Sequence, residues 1–459
     1  MSKKLFRYSE ANKERFLASD DISFNDGSVV SPEAVWHYLT EEGPKKYPHA
    51  FEINLHQGSR GSKDETLPTV LKTQYLSLTL SERMEKARDN GKSIAFIQGG
   101  QTIDPYTAAD TIALRPANVG NWNNGRHHGK NIYENAQIRK EKKEKSHHDM
   151  TFEACQTAGY EHIQEGDLRI DIVAPYTTLR CSDVSYGVEA HRHGPNQNVK
   201  LFNVDFPLRN QASKPWAVEY FSKNLRKLVR LLDESMGRTT TDEDLLNAIK
   251  LHNTGRRLSI ELADIWWSAD IPPTNSDDRQ TLSSLGHLEY GDTQASLSVL
   301  KEAKKYLVER VENGIKGHGV PDNPKRLFIL GSCVGVNNAR SEVDGAIVVG
   351  KDDGWSTINS LVDEDGDPFY NLAKATLNYP YEQGIEERAL WTIEQIRRSR
   401  AEGVIFIHRW GCNTQASISR AVVDVIKRET GIPTYIHESE FGLQHEQEHN
   451  RVSAFIEML

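Results

Sequence analysis

The chain holds four cysteines, and three of them stand in one kind of place. Cys181 follows "RIDIVAPYTTLR", Cys333 follows "RLFILGS" and Cys412 follows "GVIFIHRWG". Each comes just past an apolar run that reads as a buried strand, in the loop before a helix. In open parallel sheets ligands bind beyond the carboxyl ends of the strands, so these thiols fall on the edge where chemistry is done. Cys155, in "TFEACQTAGY", falls on a helix or at its end. A cysteine is also a small hydrophobe suited to a core, and any one of the four alone fits that use as well. Three at strand ends shift the balance toward a site. No C-x-x-C pair occurs, so the common structural zinc arrangements are not indicated. Thiolates drawn from distant loops suit a cluster held between two domains.

Other candidates carry less. His127 and His128 in "GRHHGK" and His147 and His148 in "KSHHDM" are adjacent pairs on polar stretches, as exposed histidines usually are. "GSCVGV" lacks the G-x-S-x-G frame of a nucleophile elbow and reads as a strand-to-helix turn. "FIQGGQ" is followed by no G-x-G-x-x-G, so dinucleotide binding is not indicated. Asn413, Thr414 and Gln415 follow Cys412 at an expected helix N-terminus. Capping is their ordinary use, although amides there also stabilise negative charge.

The elements that must position these residues follow from pattern. At roughly 150 residues per domain, 459 residues suggest about three units. Residues 1–90 are polar and Gly/Ser-punctuated, an expected helical or irregular extension. Residues 91–235 hold the strand signals "KSIAFIQGG", "LRIDIVAPYTTLRC" and "VKLFNVDFP", then a helix with Phe221, Leu225, Leu228 and Leu232 on one stripe. Residues 236–320 read as a helical connecting region, opened by the cap pattern of "TDEDLLNAIKLHN". Residues 321–459 hold the strands "RLFIL", "GAIVV", "GVIFI" and "IPTYI", with helices "IEERALWTIEQIRRSR" and "SISRAVVDVIKRE" between them. Strand–helix–strand spacing of this kind argues for parallel sheets. The expected fold is α/β: two Rossmann-like, doubly wound domains joined by helices.

Composition bounds the partners. A net charge of -9 argues against nucleic acid, and no apolar run approaches the length of a membrane span. The N-terminus lacks the apolar stretch of a signal peptide, so the expectation is a cytoplasmic protein with reduced thiols.

Taken in order, "FEACQTAGY", "DIVAPYTTLRCSD", "LFNVDFPL", "DEDLLNAIKLHNTGRRL", "KRLFILGSCVGVNN", "VDGAIVVGKDDGWS", "GVIFIHRWGCNTQAS", "GIPTYIHESEFG" and "EHNRVSAFIEML" resemble the iron–sulfur component subunits of 2-hydroxyacyl-CoA dehydratases and benzoyl-CoA reductases. The resemblance covers roughly residues 91–459, and it lies in the order and spacing of the pieces. It implies a [4Fe–4S] cluster between two domains, held here by Cys155, Cys181 and Cys412, with Cys333 a possible alternative ligand. Three thiolates leave one iron open, as a Lewis-acid or electron-delivering site requires. It further implies an acyl-CoA substrate, a related second subunit, and a separate ATP-hydrolysing iron–sulfur activator; this chain shows no phosphate-binding loop. Dehydratases of the family remove water from an (R)-2-hydroxyacyl-CoA through a ketyl radical, whereas the reductases deliver low-potential electrons to an aromatic acyl-CoA.

The sequence departs from the family pattern in places. Many members carry a glutamate near the segment "RPANVGNW", where Ala117 follows the proline here, and a cysteine often seen near "KDDGWS" is absent. The leading expectation is a dehydratase-type subunit of a radical acyl-CoA enzyme. The alternatives are a benzoyl-CoA reductase-type subunit, a cluster-bearing electron-transfer subunit without its own substrate, and a cluster-free α/β protein with buried thiols.

Overall fold

The computed structural model describes residues 3–4, 9–47, 51–53, 63–97, 101–114, 170–174, 176–177, 199–207, 214–286, 288, 290–331, 344–352, 360–380, 383–409, 413–439 and 446–459. After a two-residue strand, Lys3–Lys4, paired antiparallel with Glu52–Ile53, comes α1 (Glu10–Leu17), whose first turn is capped by Ser9, its side chain accepting from the Asn12 amide. Helices α2 (Pro68–Leu78) and α3 (Leu80–Asp89) follow. The first sheet is built from β1 (Ser93–Phe96), then, after the short helix α4 (Asp104–Ala108), β2 (Thr111–Leu114), β3 (Ile172–Val173) and β4 (Lys200–Leu201). Its order is β2-β1-β3-β4, all parallel.

Four helices come next: α5 (Pro215–Met236), α6 (Asp242–Ser268), α7 (Ser276–Leu285) and α8 (Thr293–Glu312). The stripe expected on α5 is there, with Phe221, Leu225, Leu228 and Leu232 all buried. Each such side chain contributes about 1.5–3 kcal/mol by leaving water. The cap expected before α6 is a capping box. The Thr241 hydroxyl oxygen accepts from the Asp244 amide at 3.2 Å, and the Asp244 carboxylate accepts from the Thr241 amide at 2.8 Å.

The second sheet holds β5 (Lys325–Gly331) and β6 (Ala346–Lys351). Helices α9 (Pro368–Leu377) and α10 (Ile385–Ser399) lead to β7 (Gly403–Arg409). Helix α11 (Asn413–Thr430) leads to β8 (Thr434–Ser439), and α12 (Glu446–Glu457) closes the chain. Its order is β6-β5-β7-β8, again all parallel. The four apolar runs at 321–459 thus became four parallel strands, and their alternation covers both faces. Phe328, Leu330, Val404 and Phe406 pack toward α10 and α11, while Leu327, Ile329, Ile405 and Ile407 pack toward α12.

Both sheets have the same order, in which the chain adds its second strand on one side of the first and its third on the other. The direction therefore reverses between β1 and β3, and between β5 and β7. Helix α6 serves both sheets. Its 27 residues span roughly 40 Å. Leu245, Ala248 and Ile249 enter the core beneath the first sheet, and Trp266 and Trp267 enter the core of the second. Helix α9, between β6 and β7 in the chain, packs instead beside α5 and α6 through Phe369, Leu372 and Leu377. The N-terminal apolar residues Phe16, Val35, Leu39, Val70 and Leu71 share a core with Val299, Leu300 and Leu307 of α8. Beneath them Lys72 and Glu302 are both buried and 2.5 Å apart, and Lys72 also donates to the Asp20 carbonyl.

Candidate functional site

The reversal in the second sheet lies between β5 and β7, where neighbouring loops leave in opposite directions and open a crevice. Gly331 ends β5 with φ +105°, in the left-handed region that favours glycine. A β-carbon there would meet the Ile407 carbonyl oxygen at 2.1 Å, so β5 and β7 approach with no space for a side chain. The Gly331 amide donates to Asp352 Oδ1 at 2.8 Å, just past the end of β6.

Asp352 is fully buried, and its second oxygen accepts from Arg388 Nε at 2.7 Å. Arg388, from the first turn of α10, is buried too, and its guanidinium lies 5.5 Å from the centroid of the Phe406 ring. Its Nη1 donates to Gln415 Oε1 at 3.0 Å. Gln415 is the third residue of α11 and is wholly buried. Its Nε2 has no acceptor among the described residues. One hydrogen-bonded line therefore joins the end of β5, the end of β6, the start of α10 and the start of α11.

Two histidines complete this edge. His408 on β7 is opposite Glu438 on β8, with its Nδ1 3.8 Å from Glu438 Oε1. His437 is opposite Ile407, and its Nε2 is 4.0 Å from Glu448 Oε2. Burial, with Arg451 and His408 nearby, pushes the His437 pKa down.

The first sheet has its own cluster at the corresponding edge. Gln101, in the loop after β1, donates from Nε2 to the Ala174 carbonyl after β3 and to the Tyr106 hydroxyl, both at 3.0 Å. The Asp104 carboxylate accepts from the Thr102 hydroxyl and from Arg256 Nη2, the latter at 2.7 Å. The His252 ring lies between Asp104 and Thr107, with Nδ1 3.1 Å from the carboxylate and Nε2 3.1 Å from Thr107 Oγ1. Burial alone would raise the Asp104 carboxyl, but Arg256 and His252 beside it hold it well below the usual carboxylate range. Next to them Asn253 donates to the Val362 carbonyl at 2.8 Å and accepts from its amide at 3.1 Å. The chain leaving β1 and the chain leaving β6 are thus fastened to adjacent turns of α6.

Cys155, Cys181, Cys333 and Cys412 all lie outside the described residues, as do His127, His128, His147 and His148. Their chain positions can still be set against the strands. Cys333 comes two residues after β5 ends, and Cys412 is the residue before α11. These two cysteines follow the strands on either side of the reversal. The helix start expected at Asn413 is where α11 begins. Among the described residues no group of three or more His, Cys, Asp or Glu side chains could hold a metal ion. What this edge offers is hydrogen-bond donation: the unengaged Nε2 of Gln415 and the N-terminus of an 18-residue helix. That donor set suits an anionic group, as a thiolate-held iron–sulfur cluster is. Among the described residues no helix is long and apolar enough to cross a membrane.

Sequence patterns alone did not single out Asp352, Arg388, Asp104, His252 or Arg256. Residues 145–459 match the family model described as 2-hydroxyglutaryl-CoA dehydratase, D-component. The chain is also similar to a benzoyl-CoA reductase subunit of Thauera aromatica, 25% identical over 228 residues. That alignment takes in 46% of this chain and 54% of the relative, so the chain spans about half of the relative's length.

Proposed function

Because this chain belongs to the 2-hydroxyglutaryl-CoA dehydratase D-component family, we propose that it is the cluster-bearing subunit of a radical acyl-CoA enzyme of the 2-hydroxyacyl-CoA dehydratase type. The observation that carries this reading is the chain order at the reversal of the second sheet, where β7 ends at Arg409 and α11 begins at Asn413, with Cys412 between them in the sequence. Cys155 and Cys181 would be the other two ligands, with Cys333 the rival for one position. The two sheets would be Rossmann-like domains joined by α6, their strand order being that of doubly wound sheets.

A bound [4Fe–4S] cluster would supply single electrons at low potential and an iron open to an oxygen ligand. This chain's own residues would do the rest. The N-terminus of α11 favours negative charge beside Cys412. Gly331 brings β5 and β7 together so that cysteines following both strands start from one edge. Loss of water from a hydroxyacyl group and reduction of an arene both need a proton delivered. His408 and Glu438, at the ends of β7 and β8, are the described groups suited to hold it.

A related second subunit and a separate ATP-hydrolysing activator would complete the enzyme. The likeness to the benzoyl-CoA reductase subunit favours a second reading, a subunit of an enzyme reducing an aromatic acyl-CoA. Anaerobic co-purification of the native complex, then turnover with a panel of 2-hydroxyacyl and aromatic acyl-CoA thioesters, separates the two. Loss of water from a hydroxyacyl-CoA supports the first reading. Reduction of an aromatic thioester alone supports the second. A complex that contains iron but turns over neither class contradicts both.

A further inference from the structure

We propose that the side-chain amide of Gln415 donates a hydrogen bond to the anionic group held beyond β7, with Asp352 and Arg388 as the positioning residues that aim it. This rests on the cluster reading above and names residues that tune the cluster. An amide carries one acceptor oxygen and two donor hydrogens, and its two orientations are usually interchangeable. Here they are not. Arg388 has only donors, so its 3.0 Å contact requires the Gln415 oxygen and turns the NH2 group the other way. Arg388 is held in turn by Asp352 at 2.7 Å, and Asp352 by the Gly331 amide at 2.8 Å. The amide is thus fixed from the strand end outward.

Nε2 is buried with no acceptor among the described residues, and a buried donor left unmade loses its hydrogen bonds to water with no return. Glutamate at this position would bind Arg388 more strongly through a charge-assisted bond. An amide serves better only where a second acceptor has to be met. Gln415 lies in the first turn of α11, three residues after Cys412, so the helix N-terminus favours the same negative charge. Hydrogen bonds to the sulfurs of a cluster raise its reduction potential.

The test is a redox titration monitored by electron paramagnetic resonance, on anaerobically purified wild type, Gln415→Met and Gln415→Glu. Methionine removes the donor at similar volume. Glutamate keeps the acceptor for Arg388 and adds charge. Both variants are expected to keep the wild-type iron content and to titrate at lower potential, Gln415→Glu lowest. Unchanged midpoints in both, with iron retained, would overturn the inference. So would a loss of thermal stability with no change of midpoint, the mark of a purely structural residue. Wild type without iron would overturn the cluster reading itself, and this inference with it.

Discussion

Gly331 and Ile407 approach so closely that a β-carbon on the first would stand 2.1 Å from the carbonyl oxygen of the second. The contact sits where the second sheet reverses direction, and it places the ends of β5 and β7 side by side. Substitution of Gly331 by alanine is therefore expected to force the strands apart and to strain φ +105° as well. A loss of at least about 2 kcal/mol should appear in urea unfolding. A variant as stable as wild type would mean that the two strand ends can separate freely.

The parts of this arrangement that follow local pattern were legible in the sequence. The runs "RLFIL", "GAIVV", "GVIFI" and "IPTYI" are bounded and apolar, and they became β5 to β8. The stripe on α5 and the cap of α6 were legible for the same reason. What pattern could not disclose are the relations between distant segments. Arg388 sits among Glu386, Glu387 and Arg397 in a helix that reads as a charged surface, yet it is fully buried against Asp352. Asp104 and Arg256 are 152 residues apart. Strand β2 was not legible in the sequence, although β1, of the same four-residue length, was. Helix α9 lies between two strands of one sheet and packs with helices beside the other, a destination no local period encodes.

Asp278 sets a pH dependence of stability. Burial pushes its carboxyl up to about 6, against Lys63 at 3.6 Å, which favours the charged form. A carboxyl raised on folding stabilises the fold while protonated. That contribution is complete below the unfolded value near 3.8 and is lost as pH rises through about 6. Asp278→Asn keeps an oxygen to accept from the Asp64 amide and removes the buried charge. It should flatten the dependence between about pH 4 and 6, and gain on the order of 3 kcal/mol at pH 7, less what the Lys63 attraction supplied. Unfolding curves at several pH values decide this; equal slopes for variant and wild type would contradict it.

His408 is the described imidazole on the strand that leads to Cys412. If it holds the proton that the reaction needs, His408→Gln should lower turnover by about 100-fold while leaving iron content unchanged. Turnover within a factor of about two of wild type would remove His408 from the reaction.

The most direct measurement of the central claim is iron bound per chain, taken anaerobically for wild type and for four single alanine variants. The cluster reading predicts the full complement of a [4Fe–4S] cluster in wild type and in Cys333→Ala. It predicts well below that, with an altered reduced-state paramagnetic signal, in Cys155→Ala, Cys181→Ala and Cys412→Ala. Loss of iron from Cys333→Ala together with its retention in Cys155→Ala would exchange one ligand for another and keep the cluster. Wild type free of iron, or Cys412→Ala with all of its iron, would contradict the account.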